Sequence, residues 1–190
     1  MIEITDLRCE RNEHVLFQKV NILLNPGAAL QIVGPNGIGK STLLRAVANR
    51  LPPGTVCYVG HKNNLHPALT VAENLSFLQA LQSGSNANDF DNYILPALEY
   101  FCMQRFADKS SAELSAGQLQ RVSLARLCLT TAKVWLLDEP AANLDAAAQQ
   151  LLLCLCTQHL RNNGSIICAT HNIFEFPAVN SSIIRLQEYA

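Results

Sequence analysis

Eight consecutive residues, Gly34-Pro35-Asn36-Gly37-Ile38-Gly39-Lys40-Ser41, have the types and spacing needed to hold phosphate, and Thr42 follows them. The pattern is G-x-x-x-x-G-K-[ST]. Glycines let the backbone curl until several N–H groups converge on phosphate oxygens. A helix starting at Lys40 would add its positive end to the same point. The Lys40 ammonium is a mobile point charge for the terminal phosphates, and the Ser41 hydroxyl is an oxygen donor for Mg²⁺. The plain alternative is a glycine-rich turn with no ligand, so the flanking elements have to decide.

A second constellation lies a hundred residues on. The apolar run Val134-Trp135-Leu136-Leu137 ends in Asp138 and Glu139. In parallel α/β sheets ligands gather at the carboxyl ends of strands, so both acids are expected to face the phosphate loop. Asp138 would hold magnesium through water, and Glu139 would orient or deprotonate an attacking water. Taken alone, the pair reads as a solvated strand end. Beside the loop it becomes the second part of one site. Ser115 can cap a helix whose exposed amides, at Ala116 and Gly117, make another anion site. His171 follows an apolar run at 166–169 and is a candidate γ-phosphate contact. Without the other two motifs it would read as an ordinary surface or core histidine.

These residues need particular elements to place them. Residues 28–33 form an apolar strand running into the phosphate loop, and apolar positions over 40–49 repeat at helical spacing until Pro52-Pro53-Gly54. Residues 2–7 and 15–24 read as an opening pair of strands, and 55–59 as a buried strand. From 69 to 131 the character is helical. Thr70 with Glu73 makes a capping box, a second helix spans 90–103 with a kink at Pro96, and a third spans 116–129. Strand and helix then alternate again: 134–137, 146–160, 165–169 and 183–186. That order predicts a parallel sheet with helices on its faces and one helical insertion.

Composition bounds the partners. The 190 residues carry 14 basic and 15 acidic side chains, a net charge of −1, which argues against nucleic-acid binding through a basic stripe. Charged residues are 15% of the chain against about 25% in average domains, so another subunit is expected to cover part of the surface. No run approaches the ~18–20 apolar residues that span a bilayer, and residues 1–10 lack a signal-peptide layout, so a cytosolic chain is expected. Seven cysteines without a Cys-x-x-Cys pair read as small buried hydrophobes in a reducing compartment.

The loop, Leu114-Ser115-Ala116-Gly117-Gln118, Leu137-Asp138-Glu139-Pro140, Asn143-Leu144-Asp145 and His171 together resemble ATP-binding cassette proteins over nearly the whole chain. The resemblance implies a P-loop NTPase α/β core with a mostly parallel sheet, an N-terminal antiparallel β subdomain and a helical insertion. Residues 1–190 would be one nucleotide-binding domain, with the helical subdomain near 67–131. It also implies ATP and Mg²⁺ as ligands, and a head-to-tail homodimer in which Ser115, Ala116, Gly117 and Gln118 contact the other protomer's nucleotide. Asp145 would link the two sites. A finer resemblance, to ATPase subunits of the bacterial haem exporter of cytochrome c maturation, rests on several stretches. These are Leu7-Arg8-Cys9-Glu10-Arg11, Leu16-Phe17, Gln31-Ile32-Val33-Gly34, Gly60-His61 and residues 121–127. It implies a peripheral subunit on the cytoplasmic side of the inner membrane, docked on an integral-membrane permease. There is no Cys-x-x-Cys-His, so direct haem binding is not expected. A soluble cassette acting on ribosomes or DNA is the competing reading, but such relatives carry a coiled-coil insertion or a second cassette. A non-hydrolysing regulatory module is disfavoured by Glu139 and His171, and a transporter with another cargo stays open.

Two positions depart from the general cassette pattern. His61 stands where a glutamine usually contacts magnesium and relays to the membrane partner. Histidine can bind a metal or sense charge, but neutral imidazole is a poorer Mg²⁺ partner than an oxygen ligand, and the plain alternative is that His61 only shapes the partner groove. Arg11 stands where an aromatic ring usually stacks on adenine. A guanidinium plane also stacks on a base but reads it less strictly. The expected outcome is measurable competition of GTP with ATP in a nucleotide-binding assay; strict ATP selectivity would contradict the stacking role.

Overall fold

Apolar runs too hydrophobic to face water on either side become interior strands of a parallel sheet. In the computed structural model these are β3 (Ala29–Val33), β5 (Val134–Asp138) and β6 (Ser165–Thr170), nearly every residue of which is buried. All residues are described except 12, 13, 61, 62, 84–89, 172–175, 177–179 and 190, and for 11, 14, 82, 83, 90 and 91 only the backbone is. The half-buried β4 (Val56–Val59) and the exposed β7 (Ser181–Arg185) close the edges of the sheet, giving the order β4-β5-β6-β3-β7 with all pairs parallel.

A separate antiparallel pair, β1 (Ile2–Arg11) and β2 (His14–Leu24), precedes this sheet. Its apolar alternation breaks in each strand, stepping from Ile4 to Leu7 and from Phe17 to Val20. Asp6 and Lys19 sit inside those breaks in the left-handed region, at φ 50° and 58°. Each adds a residue that resets the alternation, so Ile2, Ile4, Leu7, Phe17, Val20, Ile22 and Leu24 all stay buried. They share one core with Leu30, Ile32, Leu136, Ile167 and Ala169 of the sheet, and with Leu43, Leu44 and Val47 of α1 (Lys40–Ala48).

The chain divides into two units, the first being Met1–His61, Ala132–Pro140 and Cys154–Ala190, the second Lys62–Thr131 and Ala141–Leu153. In the second, α2 (Val71–Ser83) starts from the expected capping box. Thr70 N–H donates to Glu73 Oε2 (2.8 Å), and Glu73 N–H to Thr70 Oγ1 (3.1 Å). The helix expected over 90–103 is not one kinked rod. A π turn, Phe90–Ile94, precedes α3 (Leu95–Tyr100), and Pro96 lies in the first turn of α3. Proline has no N–H to donate there, so it fits a helix start and not an interior. Cys102 at φ 57° then turns the chain away. Next comes α4 (Ala116–Ala125), which tightens into a 3-10 turn at Arg126–Cys128. The last α-helix among the described residues is α5 (Ala146–Arg161).

Cys57, Cys156 and Cys168 are buried, and burial pushes the Cys156 thiol up to about 12. Cys102, Cys128 and Cys154 are exposed, which corrects the expectation that the cysteines are core hydrophobes. Among the described residues no helix is long and apolar enough to cross a membrane.

Near the end of α5 the His159 imidazole stacks flat on the Trp135 indole, with ring centroids 3.7 Å apart and planes within 8°. Burial and the Lys133 charge disfavour its protonated form. Against the pull of the backbone bonds, the pKa falls from its usual 6.5 to about 4. The unfolded chain therefore binds this proton first as pH drops. The ring's contribution to stability is complete above pH 6.5 and is lost as pH falls towards about 4. His159→Phe keeps a flat ring on Trp135 but removes the titration. Urea midpoints are expected to fall more steeply in the wild type than in the variant over that window, and parallel losses in both would contradict the assignment.

Candidate active site

The strand-to-helix turn after β3 needs a backbone that most residues resist. Gly39, the cap of α1, sits at φ 110° and Gly37 at φ 81°, where a Cβ would be strained. The turn carries Lys40 into the interior, where it is 5% exposed. A buried ammonium must be compensated. Here Lys40 Nζ donates to the carbonyl oxygens of Gly34 (2.7 Å) and Pro35 (3.2 Å) and lies 3.6 Å from Glu139 Oε1. A cavity of about 290 Å³ opens over the turn, lined by Asn36, Gly37, Gly39, Lys40, Ser41, Thr42 and Glu139. Leu16 and Arg45 also line it, and the motif gave no notice of either. Ile38 turns away to pack on the core.

The tip of β5 delivers the two acids differently. Asp138 is 2% exposed, and Tyr58 on β4 donates its hydroxyl to Asp138 Oδ2 at 3.4 Å. Burial and the Asp138 carboxylate push the Tyr58 phenol above its ordinary range, opposed by the Arg45 guanidinium. Glu139 adopts φ 50° and donates its N–H to Ala169 O at 2.8 Å. A left-handed glutamate is uncommon and costs strain, which is tolerated where function needs the side chain aimed. Its Oε1 meets His171 Nε2 at 2.8 Å, so the acid lies between the histidine and the lysine. The Ser41 hydroxyl and the Asp138 carboxylate are hard oxygen donors near a phosphate loop, a set that fits Mg²⁺.

The helical unit carries a second cavity of about 270 Å³, lined in part by Ser115, Gly117, Gln118, Arg121, Asn143 and Asp145. Ser115 caps α4 in a reciprocal box, its N–H donating to Gln118 Oε1 (2.9 Å) and its Oγ accepting from Gln118 N–H (3.3 Å). A Cβ at Gly117 would lie 2.7 Å from the Asn143 carbonyl oxygen, so no larger residue fits there unmoved. Ala116 opens the same helix. Asp145 accepts from Arg121 Nη2 at 2.6 Å and caps α5 by accepting from Ala148 N–H at 2.9 Å.

Residues 17–142 match the family model described as ABC transporter. The chain is 39% identical to the cytochrome c biogenesis ATP-binding export protein CcmA of Cereibacter sphaeroides, covering 90% of this chain and 82% of that protein. It is 38% identical to the protein of the same name from Sodalis glossinidius, over 88% of this chain and 87% of that one. The chain belongs to the ABC transporter family, with the CcmA proteins. A putative ABC transporter ATP-binding protein from Pyrococcus furiosus shares the fold, with a TM-score of 0.81 and 24% identity over 99% of this chain and 98% of that one. A dimeric post-hydrolysis ATP-binding cassette bound to ADP and Pi does so with a TM-score of 0.76 and 23% identity, over 88% and 86%.

As a member of this family the chain binds and hydrolyses ATP. The residues singled out in its sequence fall into two groups. The loop, Asp138, Glu139 and His171 lie in the first unit, while Ser115 to Gln118 and Asp145 lie in the second. The Arg11 side chain and His61 lie outside what is described. Tyr58 went unnoticed, because only the pairing of β4 with β5 brings it to Asp138.

Proposed function

We propose that this chain is the ATP-hydrolysing subunit of a membrane-bound exporter that handles haem for cytochrome c maturation. The observation carrying the reading is 38–39% identity, over most of both chains, to proteins named for cytochrome c biogenesis and export. In this reading residues 1–190 are one cassette, helical near 67–131, lying against the cytoplasmic face of the bacterial inner membrane. Phe77, Leu81 and Tyr93 stay 57%, 67% and 54% exposed on the helical unit, an apolar surface for a permease to cover.

The chemistry follows from the first cavity. Loop amides and Lys40 would take the triphosphate, Lys40 trading its carbonyl partners for phosphate oxygens. Ser41 and Asp138 would hold magnesium, which when bound neutralises phosphate charge. Glu139 would orient the attacking water and accept its proton, with His171 fixing the carboxylate. Ser115 and Gly117 of a second copy would close over the nucleotide, and Asp145, tied to Arg121, would report between the sites.

Glu139→Gln keeps the shape of that carboxylate and removes its basicity. Turnover is expected to fall by roughly 10²- to 10⁴-fold while ATP stays bound. Used with ATP as bait on detergent-solubilised membranes, the variant should retain an integral-membrane protein. Normal turnover would remove Glu139 from its role, and co-sedimentation with ribosomes in place of a membrane protein would overturn the exporter reading.

A further inference from the structure

The sheet's edge strand reaches into the site by a route that no phosphate-loop or acid-pair motif encodes. β4 pairs with β5 so that Tyr58 stands opposite Leu136 and Val59 opposite Leu137. Side chains two apart on a strand share a face, so Tyr58 and Asp138 are diagonal neighbours on one side of the sheet. Tyr58 packs there on the core that includes α1, and the Arg45 guanidinium of α1 is close enough for its charge to act on the phenol. Tyr58 then passes its own proton towards Asp138 Oδ2, 3.4 Å away. The phenol is thus the donor that the edge strand supplies to the buried carboxylate.

The ring is held where it is by what its neighbour lacks. A Cβ on Gly60 would lie 2.8 Å from Tyr58 Cε1 and 3.4 Å from its hydroxyl oxygen, so any side chain there displaces the ring. A donor fixing one carboxylate oxygen leaves the other oriented, and such outer partners govern metal affinity. We propose that Tyr58 is a positioning residue that orients Asp138 for the divalent cation and is given its place by Gly60. This rests on the reading of Asp138 as the magnesium-holding acid. Tyr58 itself touches neither nucleotide nor metal in this role.

The test uses the full chain with ADP and Mn²⁺ in place of Mg²⁺, reading free Mn²⁺ by electron paramagnetic resonance. Tyr58→Phe keeps the ring and loses the hydroxyl. Its Mn²⁺ affinity is expected to fall about 10-fold, with ADP affinity in EDTA unchanged. Gly60→Ala, which keeps the hydroxyl but displaces the ring, is expected to move Mn²⁺ affinity the same way. It carries the test should Tyr58→Phe fold poorly. Asp138→Asn separates the two ideas. If it loses Mn²⁺ while Tyr58→Phe binds like the wild type, Tyr58 has no positioning role. Should Asp138→Asn itself bind Mn²⁺ normally, the reading of Asp138 falls first. Equal losses of ADP with and without metal in Tyr58→Phe would mark a structural effect and overturn the proposal.

Discussion

A lysine ammonium brought indoors has to be answered by negative or carbonyl oxygen, and much of this molecule can be derived from that need. Lys40 is buried because the turn after β3 folds over it, and its partners are two carbonyls of the turn and the Glu139 carboxylate. A phosphate group offers the same oxygen chemistry with more charge, so the arrangement is primed to exchange one set of partners for the other. The strands that flank the turn must be rigid for this to work. β3, β5 and β6 supply that rigidity by being buried on both faces. Glu139 accepts a left-handed backbone, the strained position from which it reaches both Lys40 and His171.

What could be read in advance was whatever one short segment decides by itself. The phosphate loop is legible because the residues that shape its turn also supply its chemistry. Thr70 with Glu73 is legible because a cap and its partner lie three residues apart, and Ser115 is legible as a cap although its partner Gln118 was not read. The acid pair was legible from the apolar run before it. Pro96 was placed correctly but assigned the wrong effect, since a proline inside an apolar pattern does not reveal whether the helix bends or restarts. The paired resets at Asp6 and Lys19 could not be seen, because each strand shows only a broken alternation until the partner is known.

Long-range neighbours were the least visible. That β4 lies beside β5, and not beside β3, is set by how the whole sheet packs. Tyr58 therefore gave no local sign of meeting Asp138, 80 residues away in the chain. The Trp135 and His159 stack depends in the same way on a strand and a helix that sequence order alone does not bring together. Cargo lies further still from view. The low charged fraction and the exposed Phe77, Leu81 and Tyr93 speak of a covered surface, while the engine's own residues carry no information on what is moved.

The central claim is that a compensated, buried lysine and the amides around it form a triphosphate site. Isothermal calorimetry of folded full-length chain with ATP and Mg²⁺, beside Lys40→Ala, addresses it most directly. Saturable binding of one ATP per chain is predicted for the wild type, weakened about 10- to 100-fold in the variant, as loss of a charge-assisted hydrogen bond implies. No heat of binding in the wild type, or equal affinity in both proteins, would contradict the account at its root.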